Sequence, residues 1–329
     1  MPKKNSLMVL LIFVGLVIAS CSSDASSMPV LTTPTEMPVP TPTLRPRRLL
    51  PGELELAASP DDIPAIFASD DLFIGAESNE WGDDEKIIGV EINGDARAYP
   101  IRLLSLHEIV NDVVGEKPVA VTWCPLCYSA LVFERVVDGT ELTFGVSGYL
   151  YRNNLVMYDH QSNGLWSQLL AQGIKGAHRG EYLTVLPSVL TTWGEWKEVY
   201  PDARILSAEK MGQDTQNIID PYAGYYLSGS TGMGGSATID KRLPAKSLVI
   251  GIQVGKETRA YPLEIVEATG KIADGIGETS LLLIYDEDIG SVLVYRYDAI
   301  GNPIRIISPL VFWFAWSDIH PETSLYAMP

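Results

Sequence analysis

Apolar and polar residues alternate along most of this chain in short runs broken by turn-forming residues, the period of half-buried strands. Ile88-Gly89-Val90-Glu91-Ile92 alternates up to Asn93-Gly94, and Ala96-Arg97-Ala98-Tyr99-Pro100 follows, a β-hairpin pattern. Between Ile101 and Val114 the apolar residues at 103, 106, 110 and 113 have helical spacing, which predicts a helix there. Pro118 to Trp123 reads as a buried strand and Ser129 to Arg135 as another. Asp138-Gly139 then turns the chain into Leu142–Val146. The expected fold class is α+β and β-rich, with mainly antiparallel sheet.

The pattern returns. Ile250-Gly251-Ile252-Gln253-Val254 and Arg259-Ala260-Tyr261-Pro262 repeat the first hairpin at a constant offset of 162, and Ile88–Arg135 keeps 12 identities in 48 positions with Ile250–Tyr297. A second anchor, Trp193-Gly194-Glu195-Trp196, recurs as Trp313-Phe314-Ala315-Trp316 at an offset of 120, so the first copy holds about 42 extra residues. The simplest account is an internal duplication giving two related lobes, with an insertion in the first. Strands are expected again at Ser280–Tyr285, Ser291–Tyr297 and Pro303–Ile307, and the paired tryptophans read as packing anchors. Residues 54–210 form the first lobe, 211–235 an inter-lobe loop ending in a Gly-rich run, and 236–329 a shorter second lobe. The Gly-rich run has no following helix with a Lys, so it does not read as a phosphate cradle.

The N-terminus reads as an address. Lys3 and Lys4 precede an apolar stretch, Leu7–Ala19, too short for a comfortable membrane span, and residues 1–20 fit a signal peptide. Ile18-Ala19-Ser20-Cys21 resembles a lipobox, which makes Cys21 the lipidated first residue of a membrane-anchored, extracytoplasmic lipoprotein. Residues 21–53, rich in Pro, Thr and Ser, read as a disordered tether. A formal charge of −17 excludes nucleic acid as a partner, because phosphate recognition needs clustered Lys and Arg. That leaves the membrane, held through Cys21, and either a small molecule or an envelope protein.

Candidate chemistry centres on Cys124-Pro125-Leu126-Cys127, the pair of cysteines beyond the leader. In the repeat Cys124 aligns with Asp286, Cys127 with Ile289 and His107 with Thr269, so the shared fold does not need these three. A strand on each side argues for a turn between strands, not a thioredoxin-type helix start. Outside the cytoplasm such a pair is a disulfide, a redox dithiol or a metal site. His107 is the candidate third member, as a proton donor or as a ligand for zinc or copper; a hydrogen-bonded core histidine is the other reading. The insertion contributes Tyr151, Arg152, Asp159, Trp166 and Gln168, side chains that suit the wall of a small-molecule pocket and equally a surface hairpin over a buried Trp. No Gly-x-Ser-x-Gly elbow or His-Glu-x-x-His pattern occurs.

Several blocks in fixed order carry a resemblance. Val90–Gly94 with Ala98-Tyr99-Pro100, His107–Asp112, Cys124–Cys127, Phe144–Gly148, Asn154–Asp159 and Leu165–Gln168 resemble the domain-of-unknown-function family numbered 3179, over roughly Ser59 to Met328. The resemblance brings no activity with it. Members typically carry a small residue after the second Cys, where this chain has Tyr128. Two functions stay open: a thiol-redox or metal-dependent protein built on Cys124, Cys127 and His107, or a non-enzymatic envelope binding or assembly module with a structural Cys124–Cys127 disulfide.

Overall fold

The computed structural model describes residues 53–233, 240–298 and 300–328; the expected leader, Cys21, nearly all of the tether and Gly234-Gly235 lie outside them. Strand makes up 44% and helix 16%, in mostly antiparallel sheets, so the fold is α+β and β-rich.

The first lobe stacks two sheets. In one, the hairpin of Lys86–Ile92 with Asp95–Pro100 is flanked by Val189–Thr192, antiparallel, and by Arg204–Leu206, parallel. In the other, Ile109–Val114, Lys117–Cys124, Ser129–Glu134 and Val185–Leu186 run antiparallel in that order. The second lobe repeats both. Leu248–Val254 and Glu257–Pro262 lie between Leu310–Phe312 and Ser324–Leu325, beside a sheet of Lys271–Ile276, Thr279–Asp286, Ser291–Tyr297 and Pro303–Ile306.

Register follows the two sequence offsets. Ile88 faces Leu190 as Ile250 faces Leu310; Val132 faces Leu186 as Val294 faces Ile306; Arg97 faces Arg204 as Arg259 faces Ser324. The glycines of the repeat are explained by the tryptophans. A Cβ on Gly89 would lie 2.5 Å from the Trp196 ring, and one on Gly251 would collide with Trp316 in the same way. All four motif tryptophans are buried, each pair on one short helix, Trp193–Val199 or Trp313–Ile319. Duplication is an inference from this match of order and register.

One sequence expectation fails. Instead of a helix running on to Val114, the chain is helical only over Ile101–His107 and then a strand over Ile109–Val114. Glu108 breaks the run by taking a left-handed φ of 57°, and the β-branched residues after it pair with Lys117–Cys124.

The insertion forms a sheet of its own, Phe144–Tyr151, Asn154–Asp159, Leu165–Ser167 and Gln172–Lys175, with Leu54–Leu56 on its edge. A continuous apolar core joins this sheet to the second lobe's tryptophan helix, and Cys124 and Cys127 belong to it. The lobes grip each other reciprocally. The Cys127 carbonyl accepts from Phe312 N–H at 2.8 Å, and the carbonyl of Ile289, its counterpart, accepts from Thr191 Oγ1 at 2.5 Å.

Candidate functional site

Strand Lys117–Cys124 ends in a tight turn because Pro125 follows it, a residue preset for the second position of a β-turn. Cys127 N–H donates to the Cys124 carbonyl at 3.2 Å, and Cys124 pairs with Ser129 as the next strand begins. Both cysteines are therefore on one turn between strands, as the sequence implies. Both are free thiols, and both are buried. Tyr128 closes the turn with φ 54°, a left-handed conformation that costs a residue with a Cβ about 1–2 kcal/mol.

The insertion supplies the other wall. Arg152 and Asn153, both at positive φ, make a two-residue hairpin turn of the kind whose twist matches the strands beside it. This turn reaches the sulfurs: Cys127 Sγ donates to the Asn153 carbonyl at 3.1 Å, and Asn154 Nδ2 lies 3.7 Å from Cys127 Sγ. Asn154 is fixed by accepting from Leu169 N–H and by donating to Gln168 Oε1, each at 2.9 Å. Gln168 in turn accepts from Ser129 Oγ at 2.8 Å and donates to Thr122 Oγ1 at 3.0 Å. The network is fully buried and spans from the insertion to the cysteine hairpin.

The two thiols are not equivalent. Burial pushes the Cys124 thiol up, but the Cys127 thiol beside it, the N–H groups of Leu155 and Cys127, and Asn154 outweigh it and hold Cys124 below the ordinary thiol range. Cys127 goes the other way: burial, and then the neighbouring Cys124, push it well up. Such a split makes Cys124 the more readily ionised thiol of the pair and Cys127 the less.

His107 does not join them. Its Nδ1 is 2.7 Å from the Pro64 carbonyl and its Nε2 is 3.1 Å from Gln213 Nε2, so both ring nitrogens are engaged on the outer side. Glu108 takes the interior place instead. The left-handed turn that ends the helix sends this next side chain inward, leaving it 8% exposed. Burial, and then Cys124, push its carboxyl up to about 8. Among the described residues no group of three or more His, Cys, Asp or Glu comes together as a metal site. His107, expected as the third member of a zinc or copper set with Cys124 and Cys127, is instead hydrogen-bonded to Pro64 and Gln213.

Of the predicted pocket residues, Gln168 reaches the cysteine network and Arg152 sits on the covering turn, where it pairs with Glu53 at 2.9 Å and with Asp318. Tyr151 is buried beside it. Asp159 and Trp166 instead brace the far end of the inserted sheet, where buried Asp159 accepts from Trp166 Nε1 and Ser162 Oγ at 2.9 Å each. A recess of about 480 Å³ lies around Arg97, and a cleft of about 70 Å³ lies beside Leu190 and Ile250, but these five residues line neither.

Sequence reasoning missed a cover of tyrosines. Within 211–235 a short helix, Ala223–Leu227, follows Tyr222 and packs on the cysteine turn. Tyr225 OH donates to the Leu126 carbonyl at 2.9 Å, and the Tyr226 ring meets Tyr128 edge-on at 5.5 Å. Lys246 Nζ lies 3.5 Å from the Tyr225 ring and donates to the Ser228 carbonyl at 3.1 Å. The available signal was Asp220-Pro221-Tyr222-Ala223-Gly224-Tyr225-Tyr226, three tyrosines in five residues.

A family model described as a protein of unknown function, DUF3179, matches residues 60–308, most of the chain. The chain belongs to the DUF3179 family. No curated protein and no solved structure matches it. In this DUF3179 protein the matched span includes both cysteines, the inserted sheet and the tyrosine cover, but stops within the second lobe.

Proposed function

We propose that Cys124 and Cys127 form a reversible dithiol–disulfide couple, carried by an extracytoplasmic protein anchored through a lipid on Cys21. The observation that carries this reading is the asymmetric pair of buried thiols on the turn of one lobe only, one held down by nearby hydrogen-bond donors and the other pushed up by burial. In the chemistry this supports, Cys124 thiolate attacks one sulfur of a disulfide R–S–S–R. That bond breaks, R–S⁻ leaves and takes a proton, and Cys124–S–S–R forms. Cys127, after losing its proton, attacks the Cys124 sulfur, expels the second R–S⁻ and closes the Cys124–Cys127 disulfide. The protein dithiol is oxidised by two electrons and the disulfide is reduced to two thiols. With Cys124 only 2% exposed, a disulfide reaches it when the tyrosine cover or the Arg152-Asn153 turn moves aside. A disulfide-bonded peptide is the fitting substrate class.

The test uses reduced full-length protein and oxidised glutathione, quenched with acid and read by mass. Cys127→Ala should accumulate a glutathione adduct on Cys124, and Cys124→Ala should accumulate none. Equal reactivity of the two variants, or none in the wild type, overturns the reading. In that event the remaining reading is a binding or assembly module in which the turn is structural.

A further inference from the structure

Two turns occupy the same place in the two lobes, and only one of them is covered. In the second lobe the turn between Thr279–Asp286 and Ser291–Tyr297 leaves Glu287 and Asp288 exposed to solvent. In the first lobe the matching turn, Cys124 to Cys127, is buried, and the tyrosine segment and the Arg152-Asn153 hairpin lie against it. The turn itself needs no cover; the lobe that carries the thiols has one.

The two parts of that cover are held very differently. The hairpin is built into the inserted sheet, and Arg152 fastens it to Glu53 at 2.9 Å and to Asp318. The tyrosine helix, Ala223–Leu227, has five residues, belongs to no sheet and ends with Leu227 91% exposed. Beyond the edge-on packing of Tyr226 on Tyr128 and Phe312, a few polar contacts close it. Tyr225 OH donates to the Leu126 carbonyl at 2.9 Å and accepts from Gly232 N–H at 3.0 Å. The Lys246 ammonium donates to the carbonyls of Tyr225 and Ser228 where the helix ends. Gly232 seats the segment against the hairpin: it holds φ 59°, and an added Cβ would collide with the Asn153 side chain. Since the Asn153 carbonyl accepts from Cys127 Sγ, the seam between the two parts runs beside the sulfur. A short, exposed segment tied by so few contacts opens at lower free energy than the sheets beneath it.

We propose that Tyr222–Gly232 is a gate over the two thiols, latched by Lys246, which swings away from a fixed Arg152-Asn153 post. This inference rests on the dithiol reading, whose buried sulfurs need a door, and it names the wall that moves and the contact that holds it shut.

Two measurements on reduced full-length protein test it. Alkylation by iodoacetamide, in which Cys–S⁻ and ICH2CONH2 give Cys–S–CH2CONH2 and I⁻, reads access by mass on the peptide holding both cysteines and needs no disulfide chemistry. Amide hydrogen exchange compares the peptide holding 222–232 with the one holding Lys117–Cys124. Lys246→Met and Gly232→Ala should each alkylate about 10-fold faster than wild type, the effect of losing one or two hydrogen bonds, and should speed exchange in 222–232 alone. Asp318→Asn, which loosens the hairpin instead, should alkylate at the wild-type rate. Wild-type exchange in 222–232 no faster than in Lys117–Cys124, unchanged alkylation in both latch variants, or faster alkylation in Asp318→Asn alone overturns the gate. Alkylation that rises only together with exchange in Lys117–Cys124 means entry by unfolding and overturns it too. Faster alkylation of the latch variants without any reaction with oxidised glutathione removes the couple and leaves the gate.

Discussion

Replacing Glu108 by glycine should stabilise the protein. Three contributions set the size. Relief of the left-handed conformation adds about 1–2 kcal/mol. Removal of a largely buried, desolvated carboxyl adds about 1–3 kcal/mol. The freer unfolded chain of glycine subtracts about 1 kcal/mol. The expected net gain is about 2 kcal/mol, a rise in Tm of about 4–8 °C for a domain of this size. The gain should also depend on pH. The folded carboxyl titrates near 8, above its ordinary value of 4.5, so the native state holds a proton that the unfolded state has lost between these values. Glu108 therefore contributes its full stability below about pH 4.5 and loses it as pH rises through 8, by up to about 1.4 kcal/mol per unit. Calorimetry of wild type and Glu108→Gly at pH 5 and pH 8 should give a larger difference at pH 8. A lower Tm for the variant, or a difference equal at both pH values, would refute the claim that this side chain is strained and desolvated. Tyr128→Gly is the internal control. It relieves the same backbone conformation, held in the second lobe by Gly290 at φ 60°, but removes a ring packed on Trp123, Tyr226 and Phe312. Its net effect should be a loss of about 2–3 kcal/mol.

Two further outcomes follow from the geometry. Asp112 binds Arg97 through both oxygens, at 2.9 and 3.0 Å, and accepts from Tyr99 OH at 2.6 Å, whereas the counterpart set of Asp274, Arg259 and Tyr261 is 21–26% exposed at its charged pair. Asp112→Ala should cost about 3 kcal/mol in denaturant unfolding and Asp274→Ala about 1 kcal/mol, and equal costs would show that burial does not govern the pair. Asn154→Ala removes a donor shared by the thiols and orphans Leu169 N–H, so it should raise the Cys124 thiol, read by pH titration of ¹³C-labelled cysteine in the NMR spectrum, and cost about 1–3 kcal/mol.

Much of this architecture is legible in the residues because the repeat constrains it. Two offsets measured from Arg-Ala-Tyr-Pro and from the tryptophan motif carry over to strand register, and Gly89 and Gly251 mark where a tryptophan ring approaches the backbone. The cysteine turn is readable because Pro125 and two flanking apolar runs specify it. Choosing His107 over Glu108 is the instructive miss. Helical spacing continues through 110 and 113, so the pattern gives no sign that the helix stops at His107. A single left-handed residue then decides which neighbour turns inward, and nothing in side-chain type announces it. The lobe comparison contained a hint, a glycine at 270 opposite Glu108, that has meaning only once the backbone angle is known. The tyrosine cover is invisible for another reason: its contacts with Leu126 and Tyr128 join segments about a hundred residues apart, and no periodicity encodes them.

The central claim is that the Cys124–Cys127 pair cycles between dithiol and disulfide. The most direct measurement equilibrates full-length protein in glutathione buffers of graded potential, traps free thiols by alkylation and counts them by mass on the peptide that holds Cys124 and Cys127. The account predicts one reversible two-electron transition confined to that peptide, at a potential less negative than about −300 mV. A pair that stays disulfide-bonded at every accessible potential, or one that never pairs, would contradict it.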